Sequence, residues 1–105
     1  AKGSDVRNSF VAEGCVVYGH VENSVISTGC RIAEGAVVTD SVVMPGAVIG
    51  KGACVRYAII GENCRIGEKA AVGDTGDGTK DWGIAVVGSG KNIPENGCVR
   101  PKEII

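Results

Sequence analysis

The hydrophobic residues of this chain recur in a fixed order with a period of 17 residues. Three consecutive copies fill residues 23–73 and read NSVISTGCRIAEGAVVT, DSVVMPGAVIGKGACVR and YAIIGENCRIGEKAAVG. Within each copy the large aliphatic residues stand six, six and five positions apart. This spacing fits neither an α-helical period nor a long strand alternation. Self-similarity at a short fixed period is instead typical of solenoid proteins.

Each aliphatic position belongs to a short strand-like run that ends at a Gly, Pro-Gly or Glu-Asn turn signal. A chain that turns every five or six residues and returns after 17 forms a three-sided coil. Successive coils then pair in parallel at about 4.8 Å. One coil cannot bury its own aliphatic side chains, whereas a stack of coils buries a continuous column. The pattern therefore predicts an all-β fold, a triangular parallel β-helix. An antiparallel sandwich is the alternative, but it would not need a strict period.

Three aliphatic columns are predicted to line the interior, because β-branched side chains in register pack well on a pleated surface. The first column contains Val11, Ile26, Val43 and Ile60, the second Val17, Ile32, Ile49 and Ile66, and the third Val21, Val38, Val55 and Val72. A further ladder, predicted to fill one corner, contains Phe10, Val25, Val42 and Ile59. At another corner Asn8, Asn23 and Asp40 align, each followed by serine, which we interpret as a structural ladder of turn residues rather than a binding site.

The period also predicts where the stack of coils begins, where it is interrupted and where it ends. Residues 8–22 form a copy that is two residues short near Gly19, as expected for a terminal repeat, and residues 1–7 are interpreted as a lead-in. Residues 74–83 break the phase and predict an inserted loop, whose Trp82 would cover the coil wall or anchor a partner. The phase then resumes with Val87, Ile93 and Val99. We therefore expect one domain over 8–105 with about five coils, and a last coil whose open edge calls for a partner.

The composition of the chain excludes several classes of function. A net charge of −1 argues against nucleic acid or an anionic membrane as a partner. No apolar run approaches the roughly 20 residues of a membrane span. Five cysteines contain no Cys-x-x-Cys pair, and Cys15, Cys30 and Cys64 share one small-residue column. We interpret them as buried thiols in a reducing cytoplasm, with a Cys15–Cys30 disulfide as the open alternative.

Candidate chemistry is sparse. His20 is the only histidine, so no zinc site is predicted; it could act as an acyltransferase base, but a solvated turn residue is the alternative that we favour. The run GDTGDG lacks the Gly-Lys-Ser/Thr of a phosphate loop. Arg31 and Arg65 share a repeat position and are interpreted as solvated, although arginine can also pair with phosphate. No catalytic residue and no metal ligand is assigned.

The segments VAEGCV, ISTGCR, IAEGAV, IGKGAC, IGENCR and IGEKAA resemble the hexapeptide repeat, whose members wind left-handed. Physical rules alone would favour a right-handed crossover. The left-handed parallel β-helix is therefore expected from this resemblance only.

A more specific resemblance lies in the coil openings Asn-Ser-Val and Asp-Ser-Val-Val-Met-Pro-Gly-Ala, in Ala-Ile-Ile-Gly-Glu-Asn, and in GIAVVGSGKNIPENG. Over residues 7–100 the chain is similar to the carboxy-terminal domain of bacterial glucose-1-phosphate adenylyltransferases. The resemblance implies a cytoplasmic two-domain homotetramer in glycogen biosynthesis. Its amino-terminal catalytic domain, absent here, uses ATP and Mg²⁺ to convert glucose 1-phosphate to ADP-glucose and pyrophosphate.

In that family the β-helix domain supports assembly and allosteric control by sugar phosphates, AMP or phosphate. Some members carry an arginine where this chain has Ser89, so Lys91 and Arg100 are the substitute candidates for effector binding. Two alternatives stay open. The chain could be a stand-alone hexapeptide-repeat acyltransferase, or the tail of another sugar-nucleotide pyrophosphorylase or of a catalytically weak partner subunit.

Overall fold

The computed structural model describes residues 5–73, 84–100 and 103–105. Short β-strands follow one another through these residues, and none of the described segments is helical. The strands are β1 (Asp5–Arg7), β2 (Phe10–Val11), β3 (Val16–Val17), β4 (His20–Glu22), β5 (Val25–Ile26), β6 (Arg31–Ile32), β7 (Val37–Thr39), β8 (Val42–Val43), β9 (Val48–Ile49), β10 (Cys54–Arg56), β11 (Ala58–Ile60), β12 (Arg65–Ile66), β13 (Ala71–Val72), β14 (Ala85–Val87), β15 (Asn92–Ile93) and β16 (Cys98–Val99).

Every third strand pairs in parallel, so the strands form three sheets, which we call walls A, B and C. Wall A has the order β1-β4-β7-β10-β13-β16, wall B β2-β5-β8-β11-β14 and wall C β3-β6-β9-β12-β15. A path that visits B, C and A in turn and then repeats is a three-sided coil, and the described strands make five such coils after β1. The predicted all-β parallel β-helix with about five coils is confirmed.

The register confirms the three interior columns. Ile26 pairs with Val43 and Val43 with Ile60 on wall B. The same step relates Ile32, Ile49 and Ile66 on wall C, and Val38, Val55 and Val72 on wall A. These nine side chains are buried, and Val87, Ile93 and Val99 extend their columns into the last coil. The stack therefore buries what no single coil could bury.

The fourth ladder is in register as predicted, but its location was wrong. Phe10, Val25, Val42 and Ile59 pair in sequence along wall B, yet all four side chains are exposed. Each stands next to an interior aliphatic residue on the same strand, and neighbouring side chains on a strand point to opposite faces. The ladder therefore lies on the outer face of wall B rather than in a corner.

The register also locates the deletion and the insertion. Val17 pairs with Ile32, a step of 15 residues, whereas Val21 pairs with Val38, the full 17. The two missing residues therefore lie between β3 and β4, as predicted. Residues before the first full coil, assigned from the sequence to a lead-in, contribute β1, which pairs with β4.

Ala58 pairs with Ala85 across a step of 27 residues, ten more than the period, which matches the predicted insertion at 74–83. That segment lies outside the described residues, and so do the two predictions for Trp82.

One corner is held by the polar ladder that the sequence predicted. Asn8, Asn23 and Asp40 adopt φ angles of 47°, 51° and 50°, a left-handed conformation that Asn and Asp tolerate. The amide Nδ2 of Asn8 donates to Oδ1 of Asn23 over 2.6 Å. Inside this corner the hydroxyl of Ser24 accepts a hydrogen bond from the backbone N–H of Ser41 (3.1 Å). Each turn is thus tied to the next coil.

Candidate functional site

The two predicted effector-binding residues both lie in the last coil but on different walls. Lys91 immediately precedes β15 of wall C, whereas Arg100 follows β16 of wall A. Both side chains are exposed. The backbone carbonyl of Lys91 accepts from the N–H of Arg65 (3.0 Å), and the backbone N–H of Arg100 donates to Oε1 of Glu103 (2.6 Å). Effector binding by Lys91 and Arg100 stays a prediction.

A second set of cations lies on the outer face of wall C. Arg31 pairs with Val48, Val48 with Arg65, and Arg65 with Asn92. The two arginines are therefore two coils apart, about 9.6 Å at the backbone, and both are exposed. Arg65 is next to Lys91 through the backbone hydrogen bond given above. Arg31 and Arg65, which share one repeat position, thus lie on wall C, the wall to which Lys91 belongs. Arg100 lies at wall A.

His20 sits in a cluster of charged side chains on the outer face of wall A. Its Nδ1 lies 3.0 Å from Oδ2 of Asp5, and its Nε2 lies 3.0 Å from Oε1 of Glu22. Both ring nitrogens of His20 therefore already face a carboxylate of the chain itself. The cluster ties β1 to β4, which argues for a structural role of His20.

Asp5 has a second partner in this cluster, the side chain of Arg7. Nε of Arg7 donates to Oδ1 of Asp5 over 3.0 Å. The Arg7 guanidinium, followed by the contact with His20, holds the pKa of the Asp5 carboxyl below its usual value. Sequence reasoning missed both residues because it placed them in the lead-in. The signal that could have found them is the 15-residue step of the shortened copy, which puts Asp5 beside His20.

Cys15, Cys30 and Cys64 share one corner column, and none of the five cysteines, all of them within the described residues, forms a disulfide. The thiol of Cys30 donates to the carbonyl of Met44 (3.1 Å), and the thiol of Cys64 donates to the carbonyl of Gly88 (3.0 Å). Cys15 makes the matching hydrogen bond to Ser27 (2.9 Å). Burial raises the pKa of the Cys30 thiol. These side chains act as packing and hydrogen-bonding groups, and the Cys15–Cys30 disulfide is not present.

In residues 5–73, 84–100 and 103–105 no group of three or more His, Cys, Asp or Glu side chains is arranged to hold a metal ion. The same residues contain no helix with the length and apolar character of a membrane span.

Comparison with known proteins gives the family. Residues 1–90 match a family model described as GlmU-like, C-terminal hexapeptide. A glucose-1-phosphate adenylyltransferase of Acetivibrio thermocellus is 37% identical over 107 residues, which cover 95% of this chain and 25% of the relative. A glucose-1-phosphate adenylyltransferase of Desulfitobacterium hafniense is 30% identical over a match that covers 93% of this chain and 25% of the relative. The chain thus spans about a quarter of these relatives, their carboxy-terminal quarter.

Solved structures share the fold. The acetyltransferase domain of PglB from Neisseria gonorrhoeae, in complex with acetyl coenzyme A, superposes with a TM-score of 0.77 at 22% identity, covering 94% of this chain and 49% of that one. GDP-perosamine N-acetyl transferase from Caulobacter crescentus gives 0.67 at 18% identity, covering 96% and 51%. At these identities the likeness concerns the fold alone. The coil is the left-handed parallel β-helix of hexapeptide-repeat proteins, and the chain belongs to the GlmU-like, C-terminal hexapeptide family.

Proposed function

We propose that this chain is the carboxy-terminal β-helix domain of a glucose-1-phosphate adenylyltransferase and that it serves assembly and allosteric regulation rather than catalysis. The observation that carries the proposal is the match of 95% of this chain to the carboxy-terminal quarter of such an enzyme. Three quarters of that relative lie outside the match. The nucleotidyl transfer from ATP to glucose 1-phosphate, which releases pyrophosphate, belongs on this proposal to an amino-terminal catalytic domain.

The described residues agree with a non-catalytic role. Most buried positions are apolar, and the single histidine has both ring nitrogens 3.0 Å from a carboxylate oxygen. Mg²⁺ in ATP-dependent transfer is usually held by carboxylates together with substrate phosphates. On this proposal ATP and Mg²⁺ act in the amino-terminal catalytic domain.

The regulatory part of the proposal concerns anions. A sugar-phosphate or nucleotide effector would need cationic donors, and Lys91 and Arg100 are the candidates in the last coil. A backbone hydrogen bond of 3.0 Å joins Arg65 to Lys91, and arginine can pair with phosphate, so Lys91 is the candidate tested first. The proposal includes a cytoplasmic homotetramer; cysteines without disulfides suit a reducing compartment.

A chimera tests this proposal. The carboxy-terminal quarter of the Acetivibrio thermocellus enzyme is replaced by this chain, and a second protein lacks that quarter altogether. We expect the chimera to form ADP-glucose and to assemble, with the truncated protein deficient in both. Lys91→Ala in the chimera should weaken the response to a phosphate effector, with Lys51→Ala as the exposed-lysine control. A chimera no better than the truncated protein would overturn the proposal.

The acyltransferase alternative is less well supported. Its solved neighbours are under 25% identical to this chain, and the base that it needs would be His20, whose two nitrogens face carboxylates. Titration calorimetry with acetyl coenzyme A separates the two functions, because we expect no binding heat from this chain. Saturable binding would favour the acyltransferase.

A further inference from the structure

The five cysteines differ in which residues neighbour them along the stack. The residue just before each strand of wall C is, in order along the stack, Cys15, Cys30, Ala47, Cys64 and Lys91. Cys54 and Cys98 lie on wall A, two coils apart with Ala71 between them. Of the five cysteines, all of which the structure describes, only Cys15 and Cys30 occupy the same position on neighbouring coils.

The backbone separation of Cys15 and Cys30 suits a disulfide. Val16 pairs with Arg31 in the parallel register, and the N–H of Val16 donates to the carbonyl of Cys30 over 3.0 Å. Neighbouring coils therefore place the two cysteine Cα atoms about 4.8 Å apart. Disulfides usually have a Cα–Cα distance of about 4.4–6.8 Å. Two cysteines that are two coils apart, at about 9.6 Å, exceed this range.

The thiols of Cys15 and Cys30 already interact. Burial is the main cause of the raised pKa of Cys30, and the Cys15 thiol raises that pKa further through charge repulsion and a side-chain hydrogen bond. Each thiol donates to a carbonyl of the following coil, Cys15 to Ser27 (2.9 Å) and Cys30 to Met44 (3.1 Å). Because a thiol is a weak donor, turning the Cys30 side chain from Met44 toward Cys15 gives up little.

We propose that Cys15 and Cys30 form a site of reversible oxidation, at which a low-molecular-weight disulfide such as oxidised glutathione converts the two thiols into an intramolecular disulfide. Cys15 is half-buried in the first coil and is the thiol that the reagent reaches, whereas Cys30 is 1% exposed.

The reaction is two successive thiol–disulfide exchanges. The Cys15 thiolate attacks one sulfur of oxidised glutathione, which forms a mixed disulfide and releases one glutathione thiolate. The Cys30 thiolate then attacks Sγ of Cys15, which closes the protein disulfide and releases the second glutathione. Two electrons pass from the protein thiols to oxidised glutathione, and the two thiol protons end on the two glutathione molecules.

The disulfide would join the shortened first coil to the second coil. It closes a loop over the 15-residue step, and this loop contains β4, the strand to which β1 is paired. A cross-link of this kind restricts the unfolded chain, so oxidation should stabilise the amino-terminal end of the stack. This inference concerns the thiol chemistry of the chain itself and does not rest on the proposed function.

Peptide mapping of this chain after incubation with glutathione tests the proposal. Samples at increasing ratios of oxidised to reduced glutathione are blocked with iodoacetamide and digested with a glutamate-specific protease. Cleavage after Glu13, Glu22 and Glu34 puts the two thiols on separate peptides, 14–22 and 23–34. With about 1 mM of each form of glutathione, we expect these peptides to be joined in more than about half of the chains and to separate on reduction.

Two variants serve as a matched pair. The Cys64 thiol belongs to the same column and bonds the carbonyl of Gly88, but it has no cysteine on either neighbouring coil. Oxidation should raise the urea midpoint of the wild type and of Cys64→Ala, and leave that of Cys15→Ala unchanged. Exposed Cys98 takes up glutathione and shows that the oxidant is active. Peptides 14–22 and 23–34 that stay separate while Cys98 is modified, or that join only in urea-unfolded chains, would overturn the proposal.

Discussion

Ile59 and Ile60 are neighbours on β11 with opposite surroundings, and they allow the interior columns to be tested within one strand. Ile60 is 0% exposed between Val43 and Val87, whereas Ile59 is 38% exposed on the outer face of wall B. Replacing either residue by alanine removes the same atoms and changes strand propensity equally. The difference between the two variants therefore measures burial.

The magnitude follows from the geometry. Ile60→Ala removes three carbon groups, about 2.4 kcal/mol of transfer free energy at about 0.8 kcal/mol each. The coils above and below are held in register by backbone hydrogen bonds, so the cavity collapses only in part, and its term brings the expected loss to about 3–4 kcal/mol. Ile59→Ala leaves a gap that water can enter, and we expect a loss of about 1 kcal/mol.

Urea unfolding followed by circular dichroism gives both values. The expected gap of about 2–3 kcal/mol should appear as a lower midpoint for Ile60→Ala with similar slopes. Losses equal within about 0.5 kcal/mol, or a larger loss for Ile59→Ala, would refute the assignment of interior and exterior faces.

Three further outcomes are expected. Ser41→Ala should lower the free energy of unfolding by about 1–2 kcal/mol, because its hydroxyl accepts from the buried N–H of Ala58 over 3.2 Å; urea midpoints equal to wild type would contradict this. Exposed Cys98 should react with iodoacetamide well before Cys30, whose thiol pKa is raised by burial; mass spectrometry showing equal rates would exclude this account. The pKa of Asp5 is lowered in the folded state, so the ionised Asp5 carboxylate stabilises the fold at pH values above its usual pKa of 3.8. This stabilisation is lost as the pH falls through the folded-state pKa. Asp5→Asn should therefore flatten the acid dependence of stability below about pH 4. An unchanged pH profile in urea unfolding would count against that ion pair.

Much of the fold could be predicted from the sequence because a single period controls it. The 17-residue step sets which residues pair, and the register of Ile32, Ile49 and Ile66 follows from it. The same period located the missing two residues before β4 and the insertion at 74–83. Handedness is different, because general packing rules favour the opposite hand. Only the hexapeptide resemblance indicated it.

The errors have physical causes. The ladder that begins at Phe10 was placed in a corner because apolar character was taken as a sign of burial, whereas strand alternation requires an outward position beside Val11. The cluster around His20 was missed because β1 contains a single aliphatic residue and carries no periodic signal. Its pairing with β4 depends on backbone hydrogen bonds and on Asp5, and the 15-residue step of the shortened copy is the sequence signal that points to it.

The central claim is that this β-helix assembles and regulates while another domain performs the chemistry. The most direct measurement is ADP-glucose formation by this chain alone with ATP, glucose 1-phosphate and Mg²⁺, beside an equal molar amount of the Acetivibrio thermocellus enzyme. We predict product from that enzyme, and from this chain no more than in a protein-free blank. ADP-glucose formed by this chain above the blank would contradict the account.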